Sequence, residues 1–170
     1  ELCGREGLAC GVGPVEAALS VSAALERERP RAVLHVGVAG ARRASGIDVL
    51  AVVAGSSSVY EDLGVPPTLA PGTVDPDPRL LDAVAMLPGV VTHAIGTTGR
   101  VGGGTGCAVE AMEGFSVLRA AALAGVPAVE VRVVSNLVED DRAAWRLEEA
   151  LGVLGEALPR LADAVERALR

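Results

Sequence analysis

The sequence predicts an α/β fold: a single domain over residues 1–170 in which helices cover both faces of a mostly parallel or mixed central sheet, as a three-layer α/β/α arrangement. Short apolar runs typical of buried strands alternate along the chain with segments that carry apolar residues at helical spacing. The length of 170 residues, half of them hydrophobic, suits one domain with a sizeable core. No internal repeat or linker interrupts the alternation.

The N-terminal half reads as strand, helix and two further strands. Residues 7–11 form a short apolar strand candidate that ends in a GVGP turn. A helix is predicted over residues 14–29, with proline at its first position. Residues 32–38 and 47–54 are continuous apolar runs, typical of strands covered on both faces. Residues 55–79 carry five prolines and are predicted to form a long surface connection that contributes to a site.

The next part of the chain repeats the alternation. Residues 80–87 read as a short helix and residues 90–96 as a buried strand. The glycine-rich stretch at 97–106 that follows is expected to be flexible or closely approached. Residues 109–112 form a brief strand candidate, and residues 113–124 a helix that stops before a glycine C-cap.

The C-terminal part contains the clearest strand and a long helical tail. Residues 127–135 alternate valines with charged residues. Residues 142–170 are helical in pattern, with Gly152, Gly155 and Pro159 expected to divide them into two helices. Ligands of such sheets bind beyond the carboxyl ends of the strands. The loops predicted to share a site therefore follow Val38, Gly96, Met112 and Ser135.

Composition excludes several classes of partner and site. The net charge of −7 and the aromatic content of 2% lack the basic surface and stacking rings of a nucleic-acid binder. No apolar run approaches the ~20 residues of a membrane span, and no signal peptide is visible, so we expect a cytoplasmic protein. Three cysteines without a CxxC pair, and only two histidines, predict neither a disulfide framework nor a zinc site. No metal and no cofactor is expected.

The carboxamide residues are almost absent. All 15 basic residues are arginine, no glutamine occurs, and Asn136 is the only asparagine. Residue types that Ala, Arg, Glu or Gly can replace have nearly disappeared from this sequence. The single carboxamide that remains is therefore a candidate for a functional residue. The alternative is that Asn136 occupies a turn or a helix cap.

Several common catalytic motifs are missing. The GVGPVE segment places Glu16 where a dinucleotide fingerprint needs its third glycine. Without any lysine there is no phosphate-binding P-loop, and no GxSxG nucleophile elbow occurs. His35 and His93 lie within apolar strands and are interpreted as packed, hydrogen-bonded core residues.

Three motifs carry a resemblance to a known family. They are HVGVAG at 35–40, VEAMEG at 109–114 and VEVRVVSN at 129–136. In this order they resemble the nucleoside hydrolase and phosphorylase family that includes methylthioadenosine/S-adenosylhomocysteine nucleosidases. The resemblance runs from about Gly11 to the C-terminus and implies a nucleoside phosphorylase-like fold.

Within that family the sequence is most similar to the futalosine hydrolases. The similar features are EAMEG at 110–114, SN at 135–136 where adenine-releasing relatives have SD, VEDDRAAW at 138–145 and EDLG at 61–64. The resemblance implies a nucleosidase that hydrolyses the N-glycosidic bond of an inosine-type nucleoside and releases hypoxanthine, in menaquinone biosynthesis. It further implies a small-molecule purine nucleoside as the partner and a homodimer or higher homo-oligomer.

The resemblance also implies roles around the ribose. Glu113 would accept hydrogen bonds from the ribose hydroxyls, for which a carboxylate suits because it has only acceptors, and Met112 would pack on the sugar. Val38, Ala39 and Gly40 would let the backbone approach the ribose, although a glycine after a buried strand also suits any tight strand exit. The alternative for Glu113 is an acid favoured by the dipole in the first helical turn.

Roles at the purine follow from the same resemblance. The carboxamide of Asn136 offers a donor and an acceptor, which match the 6-oxo group and the protonated N7 of departing hypoxanthine. Ser135 would bond the purine edge or only cap a turn. Arg132 would order the water side of the pocket or orient a carboxylate; the alternative is a surface pair with Glu130 or Asp140.

Three points stay open at the level of sequence. An acidic tail on the substrate would meet one of four arginines, Arg42, Arg43, Arg100 or Arg142. Family members carry a general-base glutamate on an additional strand, a few tens of residues before the glycine-rich turn. Here only ten residues precede Gly11. The domain is therefore expected to lack that strand, and no residue is assigned the role of general base. The alternative functions are an adenine-releasing nucleosidase and a non-catalytic purine-nucleoside binding subunit.

Overall fold

A computed structural model describes residues 7–102 and 106–170, so Glu1, Cys3, Glu6 and part of the glycine-rich stretch lie outside the described residues. The α/β prediction is confirmed. Within the described part, the α-helices are α1 Pro14–Glu28, α2 Pro78–Ala85, α3 Gly114–Leu123 and α4 Leu147–Ala168. The strands there are β1 Val33–Ala41, β2 Val52–Tyr60, β3 Thr73–Val74, β4 Val90–Thr97, β5 Val109–Ala111 and β6 Ala128–Leu137.

The strands form one mixed sheet that curls back on itself. Their order is β3-β2-β4-β5-β1-β6, and β2 pairs with β6 as well as with β4. The pairs β1–β6, β2–β4 and β4–β5 are parallel, whereas β1–β5 and β2–β6 are antiparallel. Register shifts occur in β1 between Ala39 and Gly40, and in β2 between Gly55 and Ser58. Such irregularities bend a strand, which suits the closure of the sheet.

Helices pack on two sides of the sheet. On one side α2 and α4 cover valines of β6, and on the other α1 and α3 form a second cluster around Val21 and Val117. Along β6, Val129, Val131 and Val133 face the α2 and α4 side, which leaves the even-numbered residues of β6 to face the other. None of the described helices has the length and apolar character needed to cross a lipid bilayer.

The predicted strand at residues 7–11 is wrong. The segment is irregular, and the side chain of Leu8 is 52% exposed. Gly11 and Gly13 have φ values of 87° and 88°, a left-handed conformation that only glycine adopts easily. Apolar composition alone does not make a strand, and this segment forms no ladder with any strand of the described residues.

The second predicted strand is displaced along the chain. It begins at Val52 instead of residue 47 and continues to Tyr60, inside the predicted surface connection. Leu50 has a φ of 75°, which interrupts extended backbone before Val52. Ser58 and the two residues after it then pair with β4, so a polar sequence is held as a strand by its neighbour.

The C-terminal helix is continuous where two helices were predicted. It starts at Leu147 because residues 142–144 form a separate 3-10 turn, and it runs through Pro159 to Ala168. Pro159 is exposed, while a stripe of seven buried residues packs against the sheet. A proline inside a helix costs about 3 kcal/mol, which is less than the burial of three leucines provides at about 1.5–3 kcal/mol each. The other predicted elements lie within three residues of their observed ends.

Candidate active site

A cavity of about 240 Å³ lies where β1, β4, β5 and β6 end. All the residues predicted for the site line it: Val38, Ala39, Gly40, Met112, Glu113, Arg132, Ser135 and Asn136. The other residues of the lining were not predicted from the sequence: Val12, Thr98, Val101, Gly102, Glu110, Ala111, Val138 and Trp145. A larger groove of about 570 Å³ between α1 and α3 contains none of the predicted residues.

The carboxylate of Glu113 is turned into the cavity by contacts on both of its oxygens. Glu113 follows β5 and occupies the position just before α3, but its side chain makes no capping hydrogen bond to that helix. Its Oε1 accepts from the Gly13 N–H at 3.0 Å, and its Oε2 lies 3.3 Å from Nη1 of Arg132. Glu113 lies at the N-terminus of α3, where the helix dipole also favours an acid, but both of these contacts are with other segments. Each oxygen keeps a lone pair for a ligand.

Arg132 is buried below the cavity. Its side chain is 3% exposed, and Nε donates to Oε1 of Glu130 at 2.8 Å. Nη1 faces Glu113 and donates to the Val38 carbonyl at 3.4 Å, and Nη2 contacts Nε2 of His35. The predicted alternative of a surface pair is wrong, because the pair of Arg132 with Glu130 lies in the interior.

Asn136 lies within β6 and caps no helix. Its Oδ1 accepts from the Ser135 hydroxyl at 2.8 Å, and its Nδ2 donates to the Leu137 carbonyl at 3.0 Å. A carbonyl oxygen only accepts, so this contact fixes which end of the carboxamide is nitrogen. One N–H and one lone pair of Asn136 are left for a ligand, and the residue is only 6% exposed.

Gly40 provides close packing beside the carboxamide. A Cβ at this position would lie 3.2 Å from Nδ2 of Asn136 and 3.1 Å from Cγ2 of Val138. The backbone carbonyl of Ala39 also lies 3.2 Å from the Ser135 hydroxyl. The HVGVAG motif therefore supplies backbone and space to the same part of the cavity.

Two acidic residues accept hydrogen bonds from described residues at the two ends of the glycine-rich stretch. Asp62 accepts from the hydroxyl of Thr98 at 3.0 Å and from the Gly99 N–H. Glu61 accepts from the Gly106 N–H at 3.0 Å and lies 3.4 Å from the Cys107 sulfur. Burial, with the Glu61 hydrogen bond as the second cause, raises the pKa of the Cys107 thiol to about 11, so the thiol stays protonated and donates. The EDLG motif was noticed in the sequence, but this tethering role depends on contacts between distant segments.

Trp145, the aromatic residue of the cavity lining, lies against Arg142, one of the four arginines predicted for the substrate tail. The guanidinium carbon of Arg142 lies 5.8 Å from the centre of the Trp145 ring, and Nε1 of that ring is buried without a hydrogen-bond partner. Arg43 instead pairs with Asp140 at 2.5 Å. Within residues 7–102 and 106–170, no three His, Cys, Asp or Glu side chains converge closely enough to hold a metal ion.

His35 makes the stability of the protein depend on pH. Burial, and secondly the positive charge of Arg132, lower the pKa of His35 well below its usual range. The unfolded chain binds a proton near pH 6.5 that the folded protein refuses, so stability is lost as the pH falls below that value. We expect the free energy of unfolding to decrease from pH 6.5 to 5.5 by up to about 1 kcal/mol from this group, measured by urea denaturation.

The matched variant for this prediction is His35→Gln, whose side-chain oxygen accepts from Arg132 but does not titrate. It should show a shallower fall over the same pH interval. An unchanged slope would assign the effect to other groups, since the contact with Arg132 would be similar in both proteins.

Comparison with known proteins identifies the family of this chain and agrees with its fold. The family model described as the phosphorylase superfamily matches residues 7–170, and the chain belongs to this superfamily. Two similar curated proteins are futalosine hydrolases. That of Streptomyces coelicolor is 37% identical, over 96% of this chain and 80% of the relative. That of Thermus thermophilus is 31% identical, over 91% of this chain and 79% of the relative.

A solved structure shows the same fold. The 5'-methylthioadenosine/S-adenosylhomocysteine nucleosidase of Colwellia psychrerythraea 34H, determined in complex with adenine, aligns with a TM-score of 0.77. The identity is 21%, and the alignment covers 94% of this chain and 76% of that protein. The nucleoside phosphorylase-like fold with a mixed sheet is therefore confirmed.

Proposed function

We propose that this protein is a nucleosidase that hydrolyses the N-glycosidic bond of futalosine and releases hypoxanthine, as a step of menaquinone biosynthesis. It would act in the cytoplasm as a homodimer or larger homo-oligomer, without a metal or cofactor. The observation that carries the proposal is that Glu113, after β5, and Asn136, within β6, line one cavity with the polar atoms a purine nucleoside requires. The two futalosine hydrolases at 37% and 31% identity support the choice of substrate.

The ribose end of the substrate belongs beside Glu113. Its two oxygens are held by Gly13 and Arg132, and their remaining lone pairs accept from the 2′ and 3′ hydroxyls. Met112 is the neighbouring residue of the lining and supplies an apolar contact to the sugar. The bond between C1′ and the base nitrogen breaks through an oxocarbenium-like state, so a carboxylate close to the ribose stabilises the developing positive charge.

The purine end belongs beside Asn136. When the glycosidic bond breaks, its electron pair goes to the base, and hypoxanthine leaves with a proton on N7 and an acceptor at the 6-oxo group. The free N–H of Asn136 donates to that oxygen, and the free lone pair of Oδ1 accepts from N7–H. An adenine presents an amino group at position 6, which would leave one polar atom of the pair unsatisfied at a cost of about 1–3 kcal/mol.

Water, and not phosphate, is the acceptor that this cavity favours. Arg132 is the only cationic side chain among the described lining residues, and acceptors surround it: two carboxylates, a carbonyl and an imidazole. A phosphate ion would compete with Glu113 and Glu130 for the same guanidinium and would meet their negative charges. Hydrolysis forms a bond from C1′ to the water oxygen as the bond from C1′ to the base nitrogen breaks. The proton that the water loses balances the one that the base gains, so the products are the free sugar and neutral hypoxanthine.

The direct test is product analysis by chromatography after mixing the purified protein with nucleosides. We expect free hypoxanthine from futalosine and much less hypoxanthine from inosine. No adenine should be released from methylthioadenosine. Release only from methylthioadenosine would identify an adenine-releasing nucleosidase. Binding of futalosine without release of any base would identify a binding subunit.

The variant Asn136→Asp tests recognition of the 6-oxopurine. An ionised aspartate only accepts, so it loses the N–H that serves the 6-oxo group and repels it. We expect kcat/KM for futalosine to fall by about 10- to 100-fold, as 1–3 kcal/mol of lost recognition implies. Ser135→Ala is the comparison variant, because it frees the carboxamide without changing its chemistry. A fall in melting temperature that accounts for the whole loss of activity would contradict the role.

A further inference from the structure

Four positions on one face of two neighbouring strands build the support of the cavity. In the parallel pair β1–β6, His35 lies opposite Glu130 and Gly37 lies opposite Arg132. His35 and Glu130 are 7% and 0% exposed and do not line the cavity. Gly37 makes room for the guanidinium, because a Cβ there would collide with Nη1 of Arg132. The long side chain of Arg132 thus lies over a position that carries none.

Each nitrogen of the Arg132 guanidinium has its own acceptor. Nε donates to Glu130 at 2.8 Å, Nη1 faces Glu113 at 3.3 Å, and Nη2 contacts Nε2 of His35. A guanidinium has no acceptor, so Nε2 of His35 must accept and the ring proton must lie on Nδ1. A planar group held at three corners cannot rotate without breaking a contact.

Glu130 is itself held in place. Its Oε2 accepts from the hydroxyl of Ser58 on β2, and its Oε1 takes the Arg132 bond. Gly114, at the start of α3, is closed to any side chain because a Cβ there would collide with the Glu130 carboxylate. The carboxylate is therefore enclosed by β2, β6 and α3. In this position the Arg132 guanidinium compensates its negative charge.

We propose that Glu130 and His35 are positioning residues: they hold the Arg132 guanidinium in one orientation, and through it they keep the Glu113 carboxylate aimed at the ribose. This inference rests on the proposed function, which gives Glu113 its substrate contact. The physical reason is that Glu113 has only two described polar contacts of its own, with Gly13 and Arg132. A guanidinium free to turn would let the carboxylate turn with it, and misplacement of a binding group by about 1 Å costs up to about 100-fold in rate.

Kinetics of four variants test the proposal: Glu130→Gln, Glu130→Met, Glu113→Gln and the Glu130→Met/Glu113→Gln double variant. Glutamine keeps an acceptor for Nε, so kcat/KM should decrease from wild type to Glu130→Gln to Glu130→Met, the last by about 10- to 100-fold. In the Glu113→Gln background, Glu130→Met should change kcat/KM by less than about twofold. Equal factors in both backgrounds would overturn the proposal, because Glu130 would then not act through Glu113. His35→Leu should follow the same pattern as Glu130→Met.

A surface pair of similar geometry gives the matched control. Arg146 and Glu149 form a two-point ion pair at the start of α4 at 2.8 and 2.6 Å, and their side chains are 46% and 56% exposed. Glu149→Gln should leave kcat/KM unchanged. All assays are made well below the melting temperature of the least stable variant, so that loss of folded protein does not enter the rate.

A second measurement is independent of activity and keeps the two proposals distinguishable. In protein labelled with 15N-arginine, Arg132→Lys identifies the Nε–H signal of Arg132, whose hydrogen exchange should be slow. Protection should fall by at least about tenfold in Glu130→Met and remain in Glu130→Gln. Equal protection in all three proteins would overturn the positioning role. If the wild type releases no base but Nε–H shows this pattern, the proposed function has failed while the support of Arg132 stands.

Discussion

Replacing Glu113 with glutamine should lower kcat/KM for futalosine by about 100-fold or more. Two hydrogen bonds from ribose hydroxyls lose a charged acceptor, at about 1.5 kcal/mol or more each, and every 1.4 kcal/mol is a factor of ten. The positive charge that develops on the sugar in the transition state loses its nearby carboxylate as well. The measurement is the steady-state rate of hypoxanthine release over a range of futalosine concentrations.

This variant should fold almost normally. Arg132 keeps the Glu130 carboxylate at 2.8 Å when the charge of Glu113 is gone, so no buried ion is left without a partner. Glu148→Gln, on the exposed first turn of α4, is the control for loss of one acidic group and should retain full activity. Retention of wild-type kcat/KM by Glu113→Gln would remove Glu113 from the ribose site and with it the basis of the proposed function.

Replacing Arg132 with methionine should cause the largest loss of stability. The substitution leaves the carboxylate of Glu130 at 0% exposure and that of Glu113 at 13% without a cation. Removing one partner of a buried ion pair typically costs about 3–5 kcal/mol. Urea denaturation at pH 7 should show a loss of this size, and the activity of the remaining folded protein should also fall, because Glu113 is no longer oriented.

The double variant Arg132→Met/Glu130→Met separates charge from packing. It replaces the ion pair with apolar side chains of similar size and should recover at least about 1 kcal/mol of the loss. Arg146→Met, which breaks the surface pair with Glu149, should change stability by less than about 1 kcal/mol. A double variant as unstable as the sum of its single variants would show that the buried charges do not depend on each other.

Sequence patterns predicted most of the fold because they depend on local conformational preference and on which face of a helix or strand is buried. The alternation of apolar runs and helical spacing located α1, α3, β1, β4 and β6 within three residues of their ends. Two of the wrong predictions concern segments whose secondary structure is decided by contacts with neighbouring elements. Ser58 belongs to a strand because β4 pairs with it, and Pro159 stays within a helix because the buried face of α4 is bound to the sheet.

The candidate site divides in the same way. Asn136, Glu113 and Arg132 were found because their residue types and the motifs around them were visible in the sequence. His35 was correctly expected to be buried and hydrogen-bonded, but its contact with Arg132 was not foreseen. The sequence predicts Glu130 only as an alternative surface partner of Arg132. A charged residue within the apolar run of β6 was a signal of burial with compensation that could have located it.

By itself the sequence determined the class of fold and the residue types of the cavity. It also showed that Asn136 is the only carboxamide residue and that the protein has no lysine. The tertiary structure alone decided that the sheet curls until β2 meets β6, and that Arg132 joins Glu113 to a buried support made of Glu130 and His35. The physical reason is range. Propensity and periodicity act over a few residues, whereas the contact between Arg132 and His35 spans 97 positions and forms only when β1 and β6 lie side by side.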